Sequence, residues 1–325
     1  GHIFEVTTLR ADIRTDGRHA IVRYTSDWEE DARRRDFTIN SIYCDLRGKL
    51  YDPVGGLNDL REHRVRFIGD PEIRIKEDIL RILRYFRFKA ILDCHETDEV
   101  ALSACRKFSP ELKNLSGERK ASELLKWLSA KNPGPSLAQS KAYGILTQLF
   151  SLSPAHTSLS DLNQLVKAEQ TCGDTDPIRR FYMLTENKSH LEKMAKDLKF
   201  PNRVTRRLQE LNQAIKTLPQ RLTKAKARKI IYLNGKQTFI DLLLVAYAHI
   251  PDQRPNDWIT LHRMANVWLP PKCPVGGADV MALGIPTGPL VGQLACKVEN
   301  WWMENDFKPS RSAALDYLAR LLNTP

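Results

Sequence analysis

The densest chemistry in the sequence stands at Arg34-Arg35-Asp36-Phe37-Thr38-Ile39-Asn40, where two adjacent cations are followed by a carboxylate and an amide. Guanidinium forks match the oxygens of a triphosphate, and Asp and Asn side chains hydrogen-bond ribose hydroxyls. The plainer alternative is a solvated helix end in which Asp36 pairs locally. A second constellation is Glu77-Asp78-Ile79-Leu80-Arg81-Ile82-Leu83-Arg84. On a continuous helix Asp78 and Arg81 share one face, and Arg84 and Arg87 extend the row. A carboxylate acceptor beside a guanidinium donor can read a base edge. The plainer reading of that spacing is a surface ion pair worth well under ~1 kcal/mol. Farther along, Arg203, Arg206, Arg207, Lys216, Arg221, Lys224, Lys226, Arg228 and Lys229 crowd a region whose only acid is Glu210. Such a face gives sequence-independent, salt-sensitive affinity for a phosphate backbone, or else merely keeps a helix soluble.

The elements that must position these residues are legible in outline. Alternating character predicts strands at 3–9 and 20–25, with a polar Asp16-Gly17 turn between them. Ser26 or Asp27 can cap a short helix carrying Glu29 and Glu30 in its first turn. A hairpin is expected over 42–51, around Arg47-Gly48. Gly55-Gly56 interrupts the chain before another short helix and a strand at 65–68. From Pro71, Ile75, Ile79, Ile82, Leu83 and Phe86 recur at helical spacing, which predicts one helix ending near Leu92. All later segments read as helices joined by loops such as 131–135 and 172–174. Near the end, Thr287 can cap a helix with Pro289 in its first turn, and Trp301-Trp302 suit packing. The architecture is a small mixed α/β piece followed by a long all-α body, without repeats or low-complexity tracts.

The 325 residues suffice for two or three domains, and a hydrophobic fraction of 42% excludes bulk disorder. The longest apolar stretch, 239–247, is too short to span a bilayer and contains Asp241. Six scattered cysteines with no CxxC pair argue against a zinc knuckle and for a reduced, intracellular setting. A net charge of +11 favours a polyanionic partner, nucleic acid above all. The sequence opens at once on a β-branched strand pattern without Met, as a chain cut into would.

Taken in order, these motifs resemble the class II tRNA nucleotidyltransferase and bacterial poly(A) polymerase family, in its CCA-adding, α-proteobacterial or mitochondrial-like branch. Residues 34–40 resemble the motif that binds the ribose of the incoming nucleotide. Asp52-Pro53-Val54-Gly55-Gly56-Leu57-Asn58-Asp59-Leu60 resembles the hinge between head and neck. Glu77-Asp78-Ile79-Leu80-Arg81 resembles the EDxxR motif, and Leu115-Ser116-Gly117-Glu118-Arg119 the neck motif that braces the helices. Residues 12–28 resemble the flexible loop that helps switch the pocket from CTP to ATP, and 284–292 the tail of that branch.

The resemblance implies an α+β chain: a partial polymerase-β-like head with a mixed sheet over 1–69, then an all-α neck (70–130), body (131–265) and tail (266–325). It implies that Arg35, Asp36 and Asn40 hold ribose and phosphates, that Asp78 and Arg81 template the base of CTP or ATP, and that Arg84 supports them. Asp52, Gly55 and Gly56 would form the hinge. Arg203, Arg206, Arg207, Lys224, Lys226, Arg228 and Lys229 would contact tRNA. Magnesium is the implied cofactor; its two main aspartate ligands would precede residue 1, leaving Glu5 as a third carboxylate. The chain as given is then expected to bind nucleotide poorly and catalyse little. The implied activity is CMP and AMP addition to the tRNA 3′ end, in the cytoplasm or, in a eukaryote, the mitochondrion. Alternatives are a poly(A) polymerase, a CC- or A-adding relative, and a non-catalytic RNA-binding protein. Against the poly(A) branch stand the lack of proline in the 77–81 segment and of a basic disordered tail.

Overall fold

The computed structural model describes residues 7–15, 20–150, 159–185, 188–219, 221–249 and 257–322. It divides into two units, 1–209 and 210–325.

Unit 1 opens with β1 (Arg10–Thr15) and β2 (Ala20–Tyr24), an antiparallel pair with a register shift between Asp12 and Arg14. Residues 7–9, the described part of the segment expected as the first strand, are not in a strand, and the rest of that segment, with Glu5, lies outside the described residues. Helix α1 (Trp28–Arg33) starts where expected: the Asp27 carboxylate accepts from the Glu29 and Glu30 N–H groups, and the first-turn acids complement the helix dipole. The hairpin is β3 (Tyr43–Cys44) with β4 (Leu50–Tyr51). Among the described residues the expected mixed sheet is therefore two separate antiparallel ribbons. The strand expected at 65–68 reduces to a bridge between Phe37 and Phe67, flanked by the bonds Thr38 N to Arg66 O and Ile68 N to Asp36 O. Phe67 is committed to packing there, stacked on Tyr85 at 5.5 Å and tilted against Phe37 at 4.7 Å.

Helix α2 (Gly56–Arg61) follows a left-handed Gly55, φ 79°, a conformation that favours glycine. A Cβ on Gly56 would lie 2.1 Å from the Thr38 carbonyl oxygen, so the turn that ends the ribose-like motif and the start of α2 touch backbone to backbone. The Asp52 carboxylate accepts from the Gly56 and Leu57 N–H groups at 2.7 and 2.8 Å.

The single helix expected over 71–92 is two. Helix α3 (Pro71–Glu77), capped by Asp70, stops at Asp78, whose backbone is extended (φ −154°, ψ 108°), and α4 (Leu80–Ile91) follows. Apolar spacing continues across the break, which is why periodicity alone did not show it. Asp78 instead uses its carboxylate to accept from Leu80 N–H, the local bonding that makes Asp a helix breaker. Next come α5 (Glu99–Phe108), α6 (Gly117–Leu128), α7 (Gly134–Ala142), α8 (Ile145–Phe150), α9 (Leu159–Cys172), α10 (Pro177–Leu184), α11 (Leu191–Asp197) and α12 (Asn202–Lys216), the last crossing the unit boundary. Phe86 of α4 stacks on the fully buried Trp127 of α6. Behind them, Glu169 of α9 pairs with Arg179 and Arg180 of α10, all three fully buried. Arg180 Nη1 also donates to the carbonyls of Leu128 and Ala130 at the end of α6, at 2.6 Å each.

Unit 2 holds α13 (Lys224–Asn234), α14 (Lys236–His249), α15 (Trp258–Val267), α16 (Gly277–Ala282), α17 (Pro289–Glu304) and α18 (Arg311–Leu322). The apolar stretch at 239–247 is the buried heart of α14. No helix among the described residues is long and apolar enough to cross a membrane. Gly288, not Thr287, precedes the first turn of α17, with Pro289 at its first position. Trp302 is core, donating Nε1–H to the Pro309 carbonyl, and Trp301 stacks on Tyr317 at 4.5 Å.

Candidate functional site

The arginines at 34 and 35 are organised by a residue that the motif pattern does not single out, Asp31. Its side chain is fully buried. One oxygen accepts from Arg34 Nε and Nη2 (2.9 and 2.6 Å) and from Arg10 N–H (3.2 Å). The other accepts from Arg35 Nε and Nη2 (3.1 and 3.0 Å) and from the Tyr43 hydroxyl (2.8 Å). Burial pushes the Asp31 carboxyl up, but these donors outweigh it and hold it at about 2. Tyr43 is pushed up to about 12 by burial and by Asp31. The helical i,i+3 and i,i+4 spacing from Asp31 could have revealed the pairs. Arg35 Nη1 also donates to the Asn40 carbonyl at 2.8 Å, folding the motif back on itself.

Asp36 sits next to this hub, 6% exposed. Oδ1 accepts from Asn40 Nδ2 and Phe37 N–H, and Oδ2 accepts from Arg84 Nε at 2.5 Å. Burial raises its pKa, yet the Arg84 guanidinium, Asn40 and the Phe37 N–H bring it below the usual carboxylate range. Arg84 responds in kind: desolvation opposes its charge, and Asp36 more than restores it. The structure thus brings Arg35, Asp36, Asn40 and Arg84 into one connected cluster.

Asp78 and Arg81 are not one another's partners, because the chain between them turns from α3 to α4. Arg81 pairs with Glu77 and donates to the Arg74 carbonyl (2.8 Å) and the Arg34 carbonyl (3.4 Å). Asp78 accepts from Arg119 Nη2 on both oxygens, at 3.0 and 2.8 Å. Arg87, expected to continue the row, pairs with the buried Glu123 of α6 at 2.7 Å. Arg119 and Glu77 stand within the motifs; the i,i+4 spacing of Glu77 and Arg81 could have revealed their pair, whereas only the fold shows what Arg119 holds.

Comparison with known proteins places the chain in a family. The Poly A polymerase head domain matches residues 1–66, and the probable RNA and SrmB-binding site of polymerase A matches 96–159. The mitochondrial CCA tRNA nucleotidyltransferase 1 of Danio rerio is 31% identical over 98% of this chain and 73% of its own length. The chain belongs to the CCA tRNA nucleotidyltransferase family. The human mitochondrial member is 30% identical over 98% of the chain and 72% of its own. A bacterial member, the CCA-adding enzyme of Streptococcus pyogenes serotype M1, is 42% identical over 40% of the chain and 33% of its own. In three dimensions the family fold recurs in the Bacillus stearothermophilus CCA-adding enzyme in complex with CTP (TM-score 0.71, 22% identity, 98% and 78% covered). It recurs also in the Thermotoga maritima CCA-adding enzyme complexed with tRNA (TM-score 0.64, 18% identity, 98% and 80% covered).

The remaining candidate residues of this family member divide. Asp52, Gly55 and Gly56 shape the start of α2. Thr38 is fastened to the buried Asp59 (2.5 Å), which Arg66 also grips (2.9 Å). Of the basic set, Arg203, Arg206, Lys224 and Lys226 are exposed. Three others carry ion pairs: Arg207 with Asp176 (2.7 Å), Arg228 with both oxygens of Asp306 (2.7 and 2.6 Å), and Lys229 with Glu304 (3.9 Å). Arg228 and Arg207 thus also brace their own units, which their clustering in sequence did not reveal.

Proposed function

We propose that the protein adds CMP and AMP, taken from CTP and ATP, to the 3′ end of tRNA to build its CCA terminus. The observation that carries this reading is the contact of the ribose-like motif with the base-reading segment. Asp36 binds Arg84 and the Arg34 carbonyl meets Arg81, in a chain aligned over 98% of its length with a CCA tRNA nucleotidyltransferase. In the reaction the terminal ribose hydroxyl of the primer attacks the α-phosphorus. A new P–O bond forms, the bond to the β-phosphate breaks, and pyrophosphate departs with the hydroxyl proton released to the surroundings.

In this reading Arg35, Asp36 and Asn40 hold the sugar and phosphates, and Arg84 keeps Asp36 charged and oriented. Asp78 accepts from the exocyclic amino group and Arg81 donates to the adjacent ring nitrogen. Cytosine and adenine share that donor–acceptor order, whereas uracil and guanine reverse it. Arg203, Arg206, Lys224 and Lys226, with support from Arg207, Arg228 and Lys229, face the tRNA backbone. The division into head (1–69), neck (70–130), body (131–265) and tail (266–325) follows these roles, with Asp52, Gly55 and Gly56 as the hinge. The setting is the cytoplasm, or the mitochondrion in a eukaryote. Magnesium is the cofactor such phosphoryl chemistry implies. Among the described residues no group of three His, Cys, Asp or Glu side chains is placed to hold an ion, and Glu5 lies outside them. The described residues therefore do not fit a magnesium site.

The test is incorporation by the full-length protein, with the head segment expected to precede residue 1, on a tRNA ending before CCA, with CTP and ATP supplied singly and together. Two CMP and one AMP support the reading. A long adenylate tail would make the protein a poly(A) polymerase, and arrest after cytidine a CC-adding enzyme. Incorporation of AMP alone, on tRNA already carrying both cytidines, would make it an A-adding enzyme. Binding of tRNA without any incorporation would favour a non-catalytic RNA-binding protein.

A further inference from the structure

We infer that Arg119, in the first turn of α6, is the positioning residue that fixes the Asp78 carboxylate as a base-reading acceptor. This deepens the proposed function and rests on it. Asp78 lies in the non-helical break between α3 and α4, where its backbone is extended and no helix face dictates the direction of its side chain. Two donors set that direction. Leu80 N–H reaches Oδ1 at 3.1 Å, and Arg119 Nη2 spans both oxygens at 3.0 and 2.8 Å. Both groups are partly shielded, with 33% of the Arg119 side chain and 25% of the Asp78 side chain exposed. Oδ1 is thereby committed twice, and Oδ2 keeps a lone pair for an incoming amino group.

Arg119 is itself held from behind. A Cβ on Gly117 would lie 2.4 Å from the Asp197 carbonyl oxygen, so the start of α6 is pressed against the end of α11 and cannot slide. Glu118 pairs with Lys199 at 3.0 Å on the same turn. Glu77 performs the corresponding service for Arg81. The base reader is thus two fixed pairs, Asp78 with Arg119 and Arg81 with Glu77, standing on different elements. A carboxylate held in one plane accepts an amino group at one place; a swinging carboxylate can be approached by other edges. Discrimination between bases, more than affinity for the triphosphate, is what Arg119 provides.

The experiment measures equilibrium binding of CTP and UTP to the full-length protein, for wild type, Arg119→Ala, Arg119→Lys, Asp78→Ala and the double variant Asp78→Ala/Arg119→Ala. Loss of one charge-assisted hydrogen bond predicts an Arg119→Ala preference for CTP over UTP lowered about tenfold, with UTP affinity unchanged. Arg119→Lys should recover part of the preference. In the Asp78→Ala background, removal of Arg119 should change the ratio no further. If Arg119→Ala weakens CTP and UTP equally, or the double variant loses as much again as the single ones, the inference is wrong and Arg119 is a brace. If the wild type itself does not distinguish CTP from UTP, the proposed function fails first. Melting temperatures of all variants identify any change caused by unfolding alone.

Discussion

Replacement of Asp31 by Asn removes one charge and almost no volume, so its effect isolates the electrostatics of the arginine pair. Six donor contacts converge on the Asp31 carboxylate: two from Arg34, two from Arg35, and one each from Arg10 N–H and the Tyr43 hydroxyl. An amide keeps one acceptor oxygen and turns an NH2 group toward donors on its other side, so at least one guanidinium loses its acceptor. The depression from 3.8 to about 2 corresponds to about 2.5 kcal/mol, since each pKa unit is worth ~1.4 kcal/mol. Arg34 and Arg35 remain 20% and 35% exposed, so solvent screening reduces this to about 2 kcal/mol. Amide hydrogen exchange over residues 28–44 reads that local stability, and Asp31→Asn should speed it about 30-fold at neutral pH. The sign of the pH dependence is fixed by the direction of the shift. A depressed carboxylate stabilises above its unfolded pKa, and the contribution is lost as pH falls through the folded value. The difference between wild type and variant should therefore be full at pH 7, shrink below pH 4 and approach nothing near pH 2. Equal exchange at pH 7, or a gap that persists unchanged into acid, would refute the assignment of Asp31 as the organiser of the two arginines.

Further perturbations separate architecture from recognition. Gly56→Ala drives a Cβ into the Thr38 carbonyl, and should lower stability by several kcal/mol, of order ~3, with weaker nucleotide binding; calorimetry and CTP titration check both. Glu169→Gln leaves two buried guanidinium groups against a neutral partner, and should cost about 3–5 kcal/mol in urea unfolding. Lys224→Gln with Lys226→Gln should leave melting unchanged and flatten the salt dependence of tRNA binding by about one to two charges. Arg228→Ala should instead lower the melting temperature, because it strips both hydrogen bonds from Asp306, a residue held at φ 59°.

The family and the order of its motifs are visible in the sequence because each motif is local: Asp27 caps α1, Asp52 caps α2, and residues 34–40 close on themselves through Arg35 and Asn40. Hidden from it was whatever is long-range or breaks periodicity. The helical spacing of Ile75, Ile79, Ile82 and Phe86 runs unbroken over Asp78, since two short helices meeting at an angle can bury the same apolar positions as one long helix. Asp78 and Arg119 are 41 positions apart, and no spacing rule joins them. Arg228 looked like its exposed neighbours Lys224 and Lys226. Its partner Asp306 lies 78 positions away, at a corner no pattern announces. The strand expected at 65–68 failed for a different reason: an aromatic residue suited to a strand was taken into the core by a single bridge.

Helix α6 reaches from Arg119 in its first turn to carbonyls at its far end that Arg180 grips. Its 12 residues span about 18 Å at the rise of an α-helix. A rod of that length carries any tilt or slip at one end faithfully to the other. Drift in the interior packing of α9 and α10 is therefore passed on to the end of α6 that carries Arg119. If Asp78 reads the base as proposed, substitutions there should alter base preference as well as stability.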